Sequence, residues 1–120
     1  MAIENRVMEI NDEVAKGLLS DLYFSWGNSL ADMAKTKQGK EAENLYQPAF
    51  EKLQKGVELG SGHYNLACLY ALRGDKAEAI EYLSLGLSKQ EISIDFVLKD
   101  QDWDDILDDA DFQAVINQFR

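Results

Sequence analysis

Apolar residues in this chain recur at intervals of three and four, and no run of β-branched residues alternates with polar ones over the length of a strand. Alanine, leucine, glutamate and lysine, all strong helix formers, dominate the periodic segments, and Pro48 is the one proline. The pattern predicts an all-α chain. A helix start is offered at residues 11–13, and residues 14–35 follow as a helix whose packing stripe is Leu19, Tyr23, Trp26 and Leu30. After Gly39 a second helix is expected to about residue 59, with Leu45, Ala49, Leu53, Gly56 and Val57 on one side; Pro48 either kinks it or marks its first turn. Glycines at 60 and 62 end it. A third helix over 63–72 carries Leu66, Ala67, Leu69 and Tyr70 and stops at Gly74. Asp75 is the expected N-cap of a fourth, paired with Glu78 in a capping box, with Ala79, Ile80, Leu83 and Leu87 as the stripe. Near the end Phe112, Val115, Ile116 and Phe119 fall at i, i+3, i+4 and i+7, one face of a last helix.

At 120 residues the chain fits a single domain, and its formal net charge of −10 disfavours nucleic-acid backbones and anionic membrane surfaces as partners. The single cysteine, Cys68, excludes an intrachain disulfide. No apolar run approaches the length of a membrane helix and the first residues carry no signal-like apolar core, so a cytoplasmic protein is expected. No glycine-rich phosphate loop follows a strand, and no cofactor is expected.

The segment DQDWDDILDDAD, residues 100–111, places Asp100, Asp102, Asp104, Asp108 and Asp111 at the ligand positions of a calcium loop. Asp105 stands where that loop requires glycine, and Asp111 replaces the bidentate glutamate. The preferred reading is a terminal cap. Trp103, Ile106 and Leu107 then pack down on the fourth helix, the aspartates stay in water, and Asp108 or Asp109 caps the last helix.

Two units emerge when the first and third helices, and the second and fourth, are laid over each other. Trp26, Gly27 and Leu30 match Leu66, Ala67 and Tyr70 at an offset of 40; Ala49, Leu53 and Gly56 match Ala79, Leu83 and Gly86 at an offset of 30. The chain here resembles the tetratricopeptide repeat family, whose ~34-residue units are helix pairs with small residues at the crossing. NLACLYALRGDKAEAIEYL carries the resemblance most strongly, through Leu66, Ala67, Tyr70, Gly74, Ala79 and Leu83. YFSWGNSLADMA with QPAFEKLQKG fits as a first unit with a long insertion, and VMEIN looks like the end of a preceding repeat helix. Gly56 and Gly86 stand where the family usually has alanine, the final proline of each repeat is missing, and the link between the units is about four residues short. The resemblance implies a right-handed superhelix of antiparallel helix hairpins: a first unit over 8–59, a second over 60–91 and a C-terminal capping segment over 92–120. It also implies a protein-interaction module or scaffold that receives a peptide or partner helix on a concave face.

Phe24, Asn28, Tyr64, Asn65, Cys68 and Leu72 are the residues expected to line that groove. Asn28 and Asn65 resemble the asparagines that hold a partner's C-terminal carboxylate in some family members, although the accompanying lysine position is Phe24. His63 reads as a helix-start residue and Cys68 as an unactivated thiol, so no catalytic or metal-binding role is expected. The expected partner is a protein or peptide, apolar with basic flanks. Self-association as a homodimer is the alternative, with calcium binding by residues 100–111 behind it.

Overall fold

The structure, a computed structural model, describes the backbone of residues 2–120 and side chains from residue 12 onward. Among the described residues all regular structure is helical: α1 (Ala2–Lys35), α2 (Gly39–Leu59), α3 (His63–Arg73), α4 (Lys76–Ser88), α5 (Ile94–Lys99), the 3-10 helix η1 (Gln101–Ile106) and α6 (Ala110–Gln118). The all-α expectation holds. No helix is long and apolar enough to cross a membrane among the described residues. Residues 1–61 and 62–120 form two compact units.

The first unit is an antiparallel hairpin of α1 and α2. No glycine or proline interrupts residues 2–16, so α1 runs unbroken through VMEIN, and the expected break at 11–13 is absent. The face packed on α2 also differs from expectation. Ser20, Gly27, Ala31 and Ala34 are buried, whereas Leu19 and Trp26 of the expected stripe are exposed and Tyr23 and Leu30 half-buried. Small residues win because the backbones come very close. A Cβ on Gly27 would lie 2.7 Å from Leu53 Cγ, and one on Gly56 would meet the Ser20 carbonyl and Phe24 amide at 3.4 Å. Ser20 donates its hydroxyl to the Gly56 carbonyl at 2.8 Å, which the Gly60 and Ser61 amides also reach at 2.9 and 3.0 Å. That buried hydroxyl ties α1 to the end of α2. Pro48 lies inside α2, which continues past it; the missing amide costs the helix one hydrogen bond. Ala49, Phe50 and Leu53 anchor the same stretch in the core.

In the second unit α3 and α4 form the hairpin, η1 packs on α3 and α6 on α4. Gly74, at φ 86°, ends α3 in the left-handed conformation, its amide and that of Asp75 reaching the Ala71 and Tyr70 carbonyls. Asp75 precedes α4, but its carboxylate makes no cap; it turns back to the Arg73 guanidinium at 2.6 Å, so the expected capping box is not formed. Charge-assisted pairing outcompetes the amide. Asp109, by contrast, does cap α6, accepting from the Asp111 and Phe112 amides at 2.9 and 3.2 Å. The Lys76 ammonium 2.9 Å away holds the Asp109 carboxyl below the usual carboxylate range, helped by the Phe112 amide. Trp103 is fully buried, as a cap requires, yet its helix lies on α3 instead of the expected fourth helix, and Ile106 and Leu107 stay half-buried.

The two hairpins are built alike. Gly56 of α2 lies against Phe24, and Gly86 of α4 lies against Tyr64, which are the 30- and 40-residue offsets of the sequence repeat. Both glycines also accept, through their carbonyls, the amide five residues on: Ser61 at 3.0 Å and Glu91 at 2.9 Å. Gln90, at φ 60°, takes in the second unit the positive-φ position that Gly60 fills in the first.

A Cβ on Gly86 would lie 3.2 Å from the Tyr64 amide nitrogen, and backbone cannot give way there. Gly86→Ala is therefore expected to lower stability by ~1–3 kcal/mol in thermal melts, through overpacking. Gly17→Ala, exposed within α1 with nothing inside 4 Å, should instead be neutral or stabilise by up to ~1 kcal/mol. Equal effects at the two sites would contradict the close crossing.

Candidate functional site

Two regions collect the residues singled out in the sequence. The first lies in the second unit where α3 meets η1. Tyr64 is 5% exposed; its hydroxyl donates to Asp100 Oδ2 at 2.5 Å and accepts from the Trp103 indole N–H at 3.0 Å. The Cys68 thiol, also buried, points at the same Asp100 oxygen at 3.7 Å. The other oxygen, Oδ1, caps η1 by accepting the Asp102 amide at 3.0 Å. One carboxylate thus holds a phenol, a thiol and a helix start together. Burial pushes the Tyr64 phenol up, and the neighbouring Cys68 and the hydrogen bond to Asp100 push it the same way, so the phenol stays protonated and donating.

Beside it, Gly62 offers α3 no side-chain cap, and Glu91 from beyond α4 supplies one. Its Oε1 accepts the Tyr64 amide at 3.0 Å while Oε2 meets His63 Nδ1 at 2.7 Å. His63 is thus a helix-start residue with its ring engaged. A ligand atom each from Cys68, Asp100 and Asp102 lies within 4.8 Å of the others, the one such group among the described residues that could gather on a metal ion. Its Asp100 oxygens already accept from Tyr64, Cys68 and the Asp102 amide, so the cluster functions as a clasp between helices. Residues 100–111 fold as η1 and the start of α6 around the buried Trp103. Asp111 pairs with Lys76 at 3.3 Å.

The expected groove residues separate by burial. Tyr64 and Cys68 belong to the clasp and offer a partner no surface, which corrects their assignment as lining residues. The sequence signal for this was available: Trp103 and Tyr64 each carry a polar atom that needs a partner when the ring is buried. Phe24, Asn28 and Asn65 are half-buried, and Leu72 is 42% exposed. Tyr64→Phe should lower unfolding free energy by ~1–3 kcal/mol, because the Trp103 N–H and Asp100 each lose a buried partner. An unchanged denaturant midpoint would show that the clasp is not load-sharing.

The second region is the outward face of α1. Val14, Leu18, Leu22, Trp26 and Met33 are exposed at 56, 61, 66, 53 and 52%, with Leu19 beside them at 46%. Steps of four and seven residues put them on one side of the helix, opposite Ser20, Gly27, Ala31 and Ala34. Lys52 reaches from α2 over the Trp26 ring, 4.1 Å from its centroid, and Tyr23 stacks on the ring's flank at 6.4 Å. Sequence reading took Trp26 and Leu19 for core because two apolar stripes compete on α1 and the large residues make the louder one. The small-residue stripe, matched by Ala42, Ala49 and Gly56 on α2, was the signal for the true packing face. The chain matches no family model, no curated protein and no solved structure.

Proposed function

We propose that this protein is a protein-interaction module of the tetratricopeptide kind, each unit one helix-hairpin repeat, and that it acts by binding and not by catalysis. The observation that carries the proposal is the run of large apolar side chains exposed along α1. Contiguous apolar surface of this sort marks interaction sites on soluble proteins. The repeat reading is supported by the matched contacts of Gly56 with Phe24 and of Gly86 with Tyr64. It is supported too by Ala49 and Ala79, both fully buried at equivalent positions. The right-handed superhelix that the resemblance implies belongs to this proposal, as does a site of action in the cytoplasm. Non-catalytic action is supported by the polar cluster of the second unit, whose groups are occupied with one another.

The test is to isolate proteins that co-purify with the full chain from its native cell, prepare each in pure form, and titrate it back by calorimetry. Saturable binding of a purified protein at micromolar affinity or tighter supports the module. Failure of every purified candidate to bind contradicts it.

A further inference from the structure

We propose that the outward face of α1 is the docking site for an amphipathic helix of another protein, apolar on one side and carrying Lys or Arg along one edge of that side. The proposal rests on the interaction-module reading and says where, and to what chemistry, the module binds. Three observations converge on it.

The first is geometry. Val14, Leu18, Leu22, Trp26 and Met33 occupy one sector about 120° wide along five turns of helix, with the inclined i, i+4 row that a second helix covers by ridge-into-groove packing. The second comes from the repeat. Trp26 corresponds to Leu66, which is fully buried, whereas Trp26 remains 53% exposed. The position is covered in the second unit and open in the first. The third is charge. Between residues 14 and 33 the charged side chains are Lys16, Asp21 and Asp32, all exposed; the two aspartates lie on the Val14 edge of the apolar sector, within about 20° of Val14, and Lys16 lies beyond the opposite edge. The aspartates stand eleven residues apart on the same edge, about 16 Å along the axis at the helical rise. On the other edge the Lys52 ammonium lies over the Trp26 ring, so cations on the incoming helix belong on the aspartate side alone.

A second copy of the chain fits this surface less well. The cation that its own ridge brings, Lys52, is already seated over the Trp26 ring on the far edge, and in an antiparallel seam Asp21 and Asp32 of one copy would face those of the other. A basic helix removes that repulsion and steers its own approach.

The experiment uses the full chain and three synthetic helical peptides of about 22 residues, long enough to cover the ridge. One carries leucines on one face with two lysines eleven apart on a single edge. The second has glutamates in place of those lysines. The third moves the lysines to the opposite edge. Binding is read by calorimetry and by the emission of Trp26, since Trp103 is already fully buried. The first peptide is expected to bind and shift the emission to the blue, and the other two to bind more weakly or not at all. Leu18→Gln with Leu22→Gln, which keeps good helix formers on an exposed face, should abolish binding while circular dichroism stays unchanged. Asp21→Asn with Asp32→Asn should weaken it about fivefold or more, as the loss of two exposed ion pairs would. Glu78→Gln with Glu81→Gln, the same charge change on α4, should leave affinity alone.

Equal losses for the two charge variants would reduce the effect to bulk attraction and overturn the proposal. Binding that survives Leu18→Gln with Leu22→Gln places the contact elsewhere, overturning the α1 site while leaving the module reading intact. A dimer in sedimentation equilibrium that those two substitutions dissolve would assign the ridge to a second copy and likewise overturn it. Absence of binding by the first peptide overturns it outright, whereas the module reading stands or falls with the purified native partners.

Discussion

Removing residues 92–120 is expected to unfold the second unit and leave the helicity of the first largely in place. Val97, Trp103, Phe112 and Ile116 are each fully buried, and all four come from the removed segment. Each such side chain contributes ~1.5–3 kcal/mol through burial, so their joint loss rivals the ~5–15 kcal/mol that holds a domain of this size together. The α3/α4 hairpin would also lose Asp100, which anchors Tyr64 and Cys68, and Glu91 would lose the fold that positions it at the start of α3. Hydrogen exchange would read the result directly: amides of 63–88 exchanging at the rate of an open chain, those of 20–59 still protected. A truncated chain that keeps both hairpins protected would mean that the C-terminal segment is not part of the second unit's core.

Trp103→Ala should approach the same outcome through a single side chain. The indole packs against Phe112 at 5.5 Å and Tyr64 at 6.2 Å between ring centroids, and its N–H is the donor to the Tyr64 hydroxyl. Deleting a fully buried indole costs ~3–5 kcal/mol, cavity included, a large part of the stability of a small domain. Trp103→Phe keeps ring packing and should recover much of the loss, leaving mainly the missing hydrogen bond at ~1 kcal/mol. Urea unfolding followed by far-ultraviolet dichroism separates the two variants. Comparable midpoints for both and for the native chain would show that Trp103 is dispensable.

How much of this was legible in the sequence follows from what kind of force decides each element. The helices could be read because the spacing of three and four reports which residues face a core, and Gly60, Gly62 and Gly74 mark where the chain must turn. The repeat was legible for a similar reason: close crossings admit only small residues, so Gly56 and Gly86 announce themselves. Caps were half legible. Asp109 caps α6 as its position suggests, but Asp75 has an arginine two residues back that claims its carboxylate, and Glu91 caps α3 from a distance no local pattern encodes. The face of α1 was misread because hydrophobicity alone chooses the larger side chains, while backbone approach at Gly27 and Ser20 decides the packing. The same misreading hid the candidate docking surface, since residues assigned to a core are not searched for partners. Tyr64 and Cys68 lie on a side of α3 that η1 covers, and the one sequence signal for it, the polar atoms of Tyr64 and Trp103 that need partners when buried, does not by itself pair the two residues.

Amide hydrogen exchange of the full chain, with and without the leucine–lysine peptide, tests the central claim most directly. The account predicts slowed exchange along α1 between residues 14 and 33 on peptide addition, with α3, α4 and η1 unchanged. Protection appearing around Tyr64, Cys68 and Leu72 instead, with α1 exchanging as before, would contradict it.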